Sequence, residues 1–191
     1  MSVLLTVSLS ATLPLSAASH VDVVKMRTEN QVNPLGIGTS TPRFSWQITS
    51  DRKGVVQTSY QILVASSREK LDRNEADLWD SGERNSDEQL WIPYQGKALL
   101  SGAQAYWKVR ITTNRGKSEW TEPQLFTIGL LGETKWSGTW IGLEDLQPGE
   151  QKGMHTRLAA RYIRKDFAAK GKVKRAVAYV AGLGVYEFYV N

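Results

Sequence analysis

Cysteine is absent from the 191 residues, which removes disulfide staples, thiolate metal ligands, a thiol nucleophile and a lipid-modified N-terminal cysteine. Only two histidines are present, His20 and His155, too few to build a histidine-based zinc site. No segment sustains a 3.6-residue apolar period; a single helical turn over residues 68–71 is the exception. The chain is also shorter than the roughly 250 residues of a catalytic (β/α)₈ barrel, leaving room for one or two small domains. There is no G-x-S-x-G elbow, and Gly182-Leu183-Gly184 leads into a strand pattern rather than a helix, so it is no phosphate loop. Aromatic residues, by contrast, are plentiful, with seven Trp and seven Tyr.

The net charge of +5 is spread along the chain, with one cluster formed by Lys165, Lys170, Lys172, Lys174 and Arg175. The cluster carries no interleaved base-stacking motif, so it reads as a solvated loop between strands, and no nucleic-acid partner is expected. Residues 3–18 are apolar or small and hydroxylated, without one charge. This run is shorter than the about 20 residues of a membrane span, so no span is expected. It fits a signal peptide over residues 1–18, with Ser16 and Ala18 at the small-residue positions, although only Met1 and Ser2 precede it in place of a basic start. The expected location is therefore periplasmic or extracellular.

Strand patterns come next along the chain. Phe44, Trp46 and Ile48 alternate with Ser45 and Gln47; residues 57–65 repeat the pattern with Tyr60, Ile62 and Val64. Trp107, Val109 and Ile111 alternate with Lys108 and Arg110, and residues 125–128 close the set. Asn33-Pro34, residues 51–54, 80–82, Ser101-Gly102 and residues 114–116 punctuate them as turns. Short strands at this spacing predict an all-β chain whose residues 22–130 form a β-sandwich with Trp46, Tyr60, Ile62, Trp107 and Val109 in one core. Residues 131–156 read as a linker or junction. Strand character resumes at 161–167 and 176–181, and Gly182-Leu183-Gly184 offers a hairpin loop into 185–190. Residues 157–191 then read as the incomplete start of a second β-domain.

Certain motifs stand in a fixed order. They are Thr28-Glu29-Asn30, Asn33-Pro34-Leu35-Gly36-Ile37, Thr41-Pro42-Arg43-Phe44-Ser45-Trp46 and Gln57-Thr58-Ser59-Tyr60-Gln61-Ile62. Next come Leu78-Trp79-Asp80-Ser81-Gly82, Tyr94-Gln95-Gly96-Lys97, Tyr106-Trp107-Lys108-Val109-Arg110 and Ser118-Glu119-Trp120-Thr121. The series resembles the N-terminal region of bacterial α-L-rhamnosidases of glycoside hydrolase family 78. Trp140-Ile141-Gly142, residues 160–165 and 182–187 resemble that family's next, jelly-roll-like module. The resemblance implies a fibronectin type III-like sandwich ahead of the truncated start of a jelly-roll-like sandwich. It further implies a parent enzyme that inverts and releases terminal α-L-rhamnose from glycans or glycosides, through carboxylates in a catalytic barrel further along. Its glycan partner would meet that barrel, and this region would touch the downstream domains within the molecule. One departure stands out: the position in phase before Trp107 is Ala105, so Tyr106 is not expected to form an inward tyrosine corner.

Inverting glycoside hydrolysis needs two carboxyl groups roughly 6.5–9.5 Å apart, one of them protonated near neutrality. The nearest pairs here, Asp80 with Glu83 and Asp87 with Glu88, sit in polar turns where carboxylates satisfy amides or face water. No catalytic, cofactor or metal residue is therefore expected. Trp79, Trp91, Trp120, Trp136 and Trp140 lie outside the inward-facing sets, and are the candidates for sugar stacking or for packing between domains. Trp120, near Lys108 and Arg110, also suits a cation–π stack. Two function classes remain from the residues: a non-catalytic scaffold of a secreted rhamnosidase, or a stand-alone carbohydrate-binding or adhesive module.

Overall fold

The computed structural model describes residues 21–132, 136–142, 148–150, 153 and 160–190. Residues 1–18, read from the sequence as a signal peptide, and His20 and His155 lie outside the described residues. Contacts divide the chain into two units, Met1–Ser137 and Gly138–Asn191.

The first unit is built from β1 (Val21–Thr28), β2 (Arg43–Ser50), β3 (Gln57–Ala65), the short helix α1 (Arg68–Asp72), β4 (Trp79–Asp80), β5 (Ile92–Pro93), β6 (Gln104–Thr113), β7 (Gly116–Lys117) and β8 (Gln124–Thr127). One sheet has the order β1-β2-β5; the other runs β4-β3-β6, with β7 and β8 both pairing β6. All these pairings are antiparallel, as local hairpins and returns allow. Ile62, Val64, Trp107, Val109 and Ile111 of one sheet meet Phe44 and Trp46 of the other, forming the core that the alternation predicted, and Tyr60 joins them. Phe44 and Trp107 lie at its centre, with ring centroids 4.4 Å apart.

Irregularities explain where the alternation becomes hard to read. β1 gains one residue against β2 between Val24 and Arg27, and Lys25 there takes φ +51°. The bulge turns Met26 into the core, so Val21, Val23, Val24 and Met26 do not form a regular two-residue pattern. β3 carries a similar irregularity between Gln57 and Ser59. Gln57 uses it to put a polar side chain inside: its Oε1 accepts from Trp46 Nε1 at 3.0 Å, and its Nε2 donates to the carbonyls of Ser86 and Glu88.

The helix lies on the outer face of the five-stranded sheet. Ser67 caps it by accepting from Lys70 N–H, and Leu71 packs on Leu63, Ala65, Tyr106 and Trp120. Lys108, which the alternation points outward, is therefore buried. Its Nζ donates to the Leu71 carbonyl at 2.5 Å and to Asn74 Oδ1 at 2.7 Å, serving the acceptors at the end of the helix. Ala105 points into the core and Tyr106 to the outer face, so the tyrosine corner is absent at this position as expected. Tyr94 ties a corner instead: its hydroxyl lies 2.8 Å from the Lys97 carbonyl and 3.3 Å from that of Leu78. Gly96 permits this approach, since a Cβ there would lie 2.4 Å from the Trp79 Cβ and 2.5 Å from the Leu78 carbonyl oxygen.

In the second unit, residues 161–167, 176–181 and 185–190, expected as strands, form no ladder among the described residues. A turn does form: the Tyr186 ring packs on Gly182, and Gly184 takes φ +110°. Extended segments whose apolar faces stay uncovered bury too little apolar surface to hold a ladder. Tyr162, Phe167, Leu183, Val185 and Tyr189 stay exposed, as do Lys165, Lys170, Lys172, Lys174 and Arg175. Arg161 forms a bidentate ion pair with Glu150.

Candidate functional site

Trp79, Trp91 and Trp120 lie at three separate places on the sandwich rather than in one platform. Trp79, in the two-residue strand β4, packs against the core: its ring stacks on Phe44 at 6.3 Å and meets Tyr94 edge-on at 5.4 Å. Its face is thus occupied within the sandwich. A two-residue strand has no alternation to read, which is why the sequence left its side undecided.

Trp120 is half-buried on the outer face of the larger sheet. Arg110 Cζ lies 4.4 Å from its ring centroid and Lys108 Nζ 5.1 Å, so the cation–π stack forms. The neighbouring hydroxyls explain how the chain throws Trp120 onto this face while holding its place beside β6. Ile111 N–H donates to Ser118 Oγ and Ser118 N–H returns to the Ile111 carbonyl. Val109 N–H donates to Thr121 Oγ1, and Thr121 N–H returns to the Val109 carbonyl. Side-chain oxygens thus replace the main-chain acceptors that the kink removes, which gives Ser118-Glu119-Trp120-Thr121 its physical meaning.

Trp91 is 41% exposed at the edge of the smaller sheet. Its φ of +60° is a genuine outlier for a bulky residue. Its N–H donates to Ser45 Oγ, and Arg43 Cζ lies 4.0 Å from its ring centroid. Glu29 holds Arg43 in turn: Oε1 accepts from Arg43 Nε and from its backbone N–H, and Oε2 accepts from Nη2 at 2.7 Å. The guanidinium hydrogen bonds keep the Glu29 carboxyl below its ordinary range. Trp136 and Trp140 are exposed in the junction, as is Ile141.

The carboxylates are arranged as structural acceptors. Asp80 Oδ1 accepts from Gln61 Nε2 and from Gly82 N–H. Glu83 Oε1 accepts from Ser59 and Thr112, and Lys117 lies 3.5 Å from Oε2. Those hydroxyls, with Lys117, hold the Glu83 carboxyl below its ordinary range. Burial works to raise Asp77, but hydrogen bonds from Lys70 and Ser66 outweigh it and bring the carboxyl down to about 2. Tyr94, by contrast, is pushed up to about 12 by burial, with the charge of Asp77 adding to it. Among the described residues no cluster of three or more metal-ligating side chains occurs, and no helix is long and apolar enough to cross a membrane. An open depression of about 450 Å³ is lined by Gln47, Ile48, Val55, Val56, Gln57, Asp87 and Gln89. It contains Asp87 but not Glu88, so the second sequence pair does not converge on it.

Comparison with known proteins agrees with this geometry. Residues 23–132 match the family described as the Rha78A-like, N-terminal immunoglobulin domain. An α-L-rhamnosidase of Formosa agariphila is 35% identical over 188 residues, taking in 91% of this chain and 20% of that protein. Another from Alteromonas sp. (strain LOR) is 35% identical over 165 residues, 85% of this chain and 18% of its own length. The structure of the Streptomyces avermitilis α-L-rhamnosidase complexed with L-rhamnose is similar with a TM-score of 0.61 at 36% identity, covering 64% of this chain and 12% of that one. An α-L-rhamnosidase of Dictyoglomus thermophilum is similar with a TM-score of 0.61 at 32% identity, over 68% of this chain and 15% of that one. The chain thus spans about a fifth of the length of these curated relatives.

Proposed function

The chain belongs to the family of Rha78A-like N-terminal immunoglobulin domains, and from that membership we propose that it is the non-catalytic N-terminal scaffold of a secreted α-L-rhamnosidase. In this reading the parent protein hydrolyses terminal α-L-rhamnose from glycans or glycosides in a downstream catalytic portion. The sandwich supports that portion by contact within the molecule. Residues 1–18 act as the export signal, which puts the protein in the periplasm or outside the cell.

One observation carries the non-catalytic part: residues 23–132 match an N-terminal immunoglobulin domain, and the chain spans only about a fifth of the length of its rhamnosidase relatives. A glycosidase acid must be protonated near neutrality, which requires a raised carboxyl. Glu29, Glu69, Glu75, Asp77 and Glu83 are all shifted the other way, toward the charged form. The proposal is tested by incubating the purified chain with an aryl α-L-rhamnoside. No turnover above blank is expected. Turnover that co-purifies with the chain and is lost in Asp80→Asn or Glu83→Gln would overturn it.

A further inference from the structure

Beyond β8 the chain continues through residues 128–131, and this exit is held from two sides. The loop 33–37 lies along one side. Leu125 N–H donates to Asn33 Oδ1 at 2.8 Å, and Thr127 N–H to the Pro34 carbonyl at 3.0 Å. Gly36 N–H donates to Thr127 Oγ1, Ile37 N–H to the Thr127 carbonyl and Gly129 N–H to the Ile37 carbonyl, each at 2.8 Å. Ile37 and Ile128 form a parallel bridge, and both side chains are buried in the core. Loop 101–103 holds the other side. Ile128 N–H donates to the Ala103 carbonyl at 2.8 Å, and Gly102 N–H points between the carbonyls of Ile128 and Gly129 at 3.1 and 3.2 Å. Leu131 N–H donates to Ser101 Oγ at 2.9 Å, and the Leu131 side chain packs against the core.

The two backbones meet so closely that side chains are excluded. A Cβ on Gly129 would lie 2.9 Å from the Gly36 carbonyl oxygen and 3.2 Å from its carbon, both main-chain atoms that cannot rotate away. Gly36 itself takes φ +76°, a conformation that favours glycine. An ordinary domain boundary leaves through an exposed linker with few contacts crossing it. Here the last segment of the sandwich is instead bonded on both edges through Gly129 and on the 101–103 side through Leu131.

We infer that loops 33–37 and 101–103 form a clamp that fixes the path of residues 128–131 as the chain leaves the last strand of the sandwich. This deepens the scaffold reading and rests on it for its purpose: the clamp keeps the last strand of the sandwich from fraying where the chain runs on. The same clamp accounts for Asn33, Pro34, Gly36 and Ile37 standing together as one motif. Asn33 supplies the side-chain acceptor, Pro34 a carbonyl, Gly36 the close approach and Ile37 the bridge.

Amide exchange measured residue by residue on the full chain tests the inference. The amides of Gly129 and Leu131 should exchange at least about tenfold more slowly than those of the exposed turn residues Lys53 and Gly54. Gly129→Ala should accelerate exchange at Ile128, at position 129 and at Leu131 by about tenfold or more, while Val109 and Ile111 in β6 stay protected. Ser101→Ala leaves the core intact and should accelerate Leu131 alone, so the test stands even if the first variant fails to fold. Exchange at Gly129 and Leu131 as fast as at Lys53, or no response of Leu131 to Ser101→Ala, would overturn the clamp. Rhamnoside turnover by the chain would overturn the scaffold reading and leave the exchange result untouched, so the two can fail separately.

Discussion

Trp46 and Trp107 are both almost wholly excluded from solvent, at 1% and 0% exposure, yet the same substitution should affect them differently. Trp46 Nε1 donates to Gln57 Oε1, whereas Trp107 Nε1 is buried without a partner among the described residues. Trp→Phe at either site removes the same ring volume, which should cost about 1–2 kcal/mol in lost packing. At position 46 it also strands Gln57 Oε1 in the core, adding about 1–3 kcal/mol, for a total of about 2–5 kcal/mol. At position 107 it removes an unsatisfied donor, which returns about 1–3 kcal/mol and brings the net change to about zero. Urea denaturation of both variants, with unchanged dependence on denaturant, measures the difference. A Trp107→Phe loss equal to or larger than that of Trp46→Phe would refute this assignment of the polar contacts.

Three more expectations rest on particular contacts. Lys108→Met should cost about 1–3 kcal/mol in denaturant melts, because Asn74 Oδ1 loses the ammonium donor and the Leu71 carbonyl keeps only its backbone donors; a loss under about 0.5 kcal/mol would show that the ammonium does not hold the helix end. The Asp77 carboxyl is lowered from 3.8 to about 2, so its contribution to stability is full above the unfolded value and is lost as pH falls through the folded one. The stability curves of wild type and Asp77→Asn should therefore converge between pH 4 and pH 2, and parallel curves through that window would sink the pairing with Lys70 and Ser66. A chain shortened to residues 21–132 should keep a cooperative melt and give more soluble, monodisperse protein by light scattering, since it sheds the exposed Tyr162, Phe167, Leu183 and Val185. A shortened chain that melts without cooperativity would show that the sandwich depends on the second unit.

The core of the sandwich was legible wherever strands ran long and regular. Residues 60–64 and 107–111 keep their alternation clear of the irregularity at Gln57, so Tyr60, Ile62, Val64, Trp107, Val109 and Ile111 were placed correctly from the pattern. β1 was not legible, because its bulge at Lys25 breaks the phase midway. β4 and β5 hold two residues each, too few for any period, and Trp79 and Trp91 inherit that ambiguity. Lys108 was assigned to the outer face correctly, but its burial depends on α1 covering that face, a tertiary fact invisible to alternation. The cap Ser67 and the apolar Leu71 four residues later were the local signals for that helix. The stack of Trp120 with Arg110 and Lys108 was readable because all three sit on motif positions one strand apart. Strand patterns in residues 161–190 form no ladder among the described residues, because a ladder also requires a covered apolar face, which pattern alone does not supply.

The central claim, that this sandwich supports an enzyme without handling sugar itself, is tested most directly at the indoles. Titrating L-rhamnose into the ¹⁵N-labelled chain while following the indole N–H signals of all seven tryptophans reports on every candidate platform at once. No saturable shift is predicted, because Trp79 is stacked inside the core, Trp120 is covered by Arg110 and Lys108, and Trp91 is stacked with Arg43. A saturable shift confined to Trp91, Trp136 or Trp140, and abolished by replacing that residue with alanine, would contradict the claim and make the chain a carbohydrate-binding module.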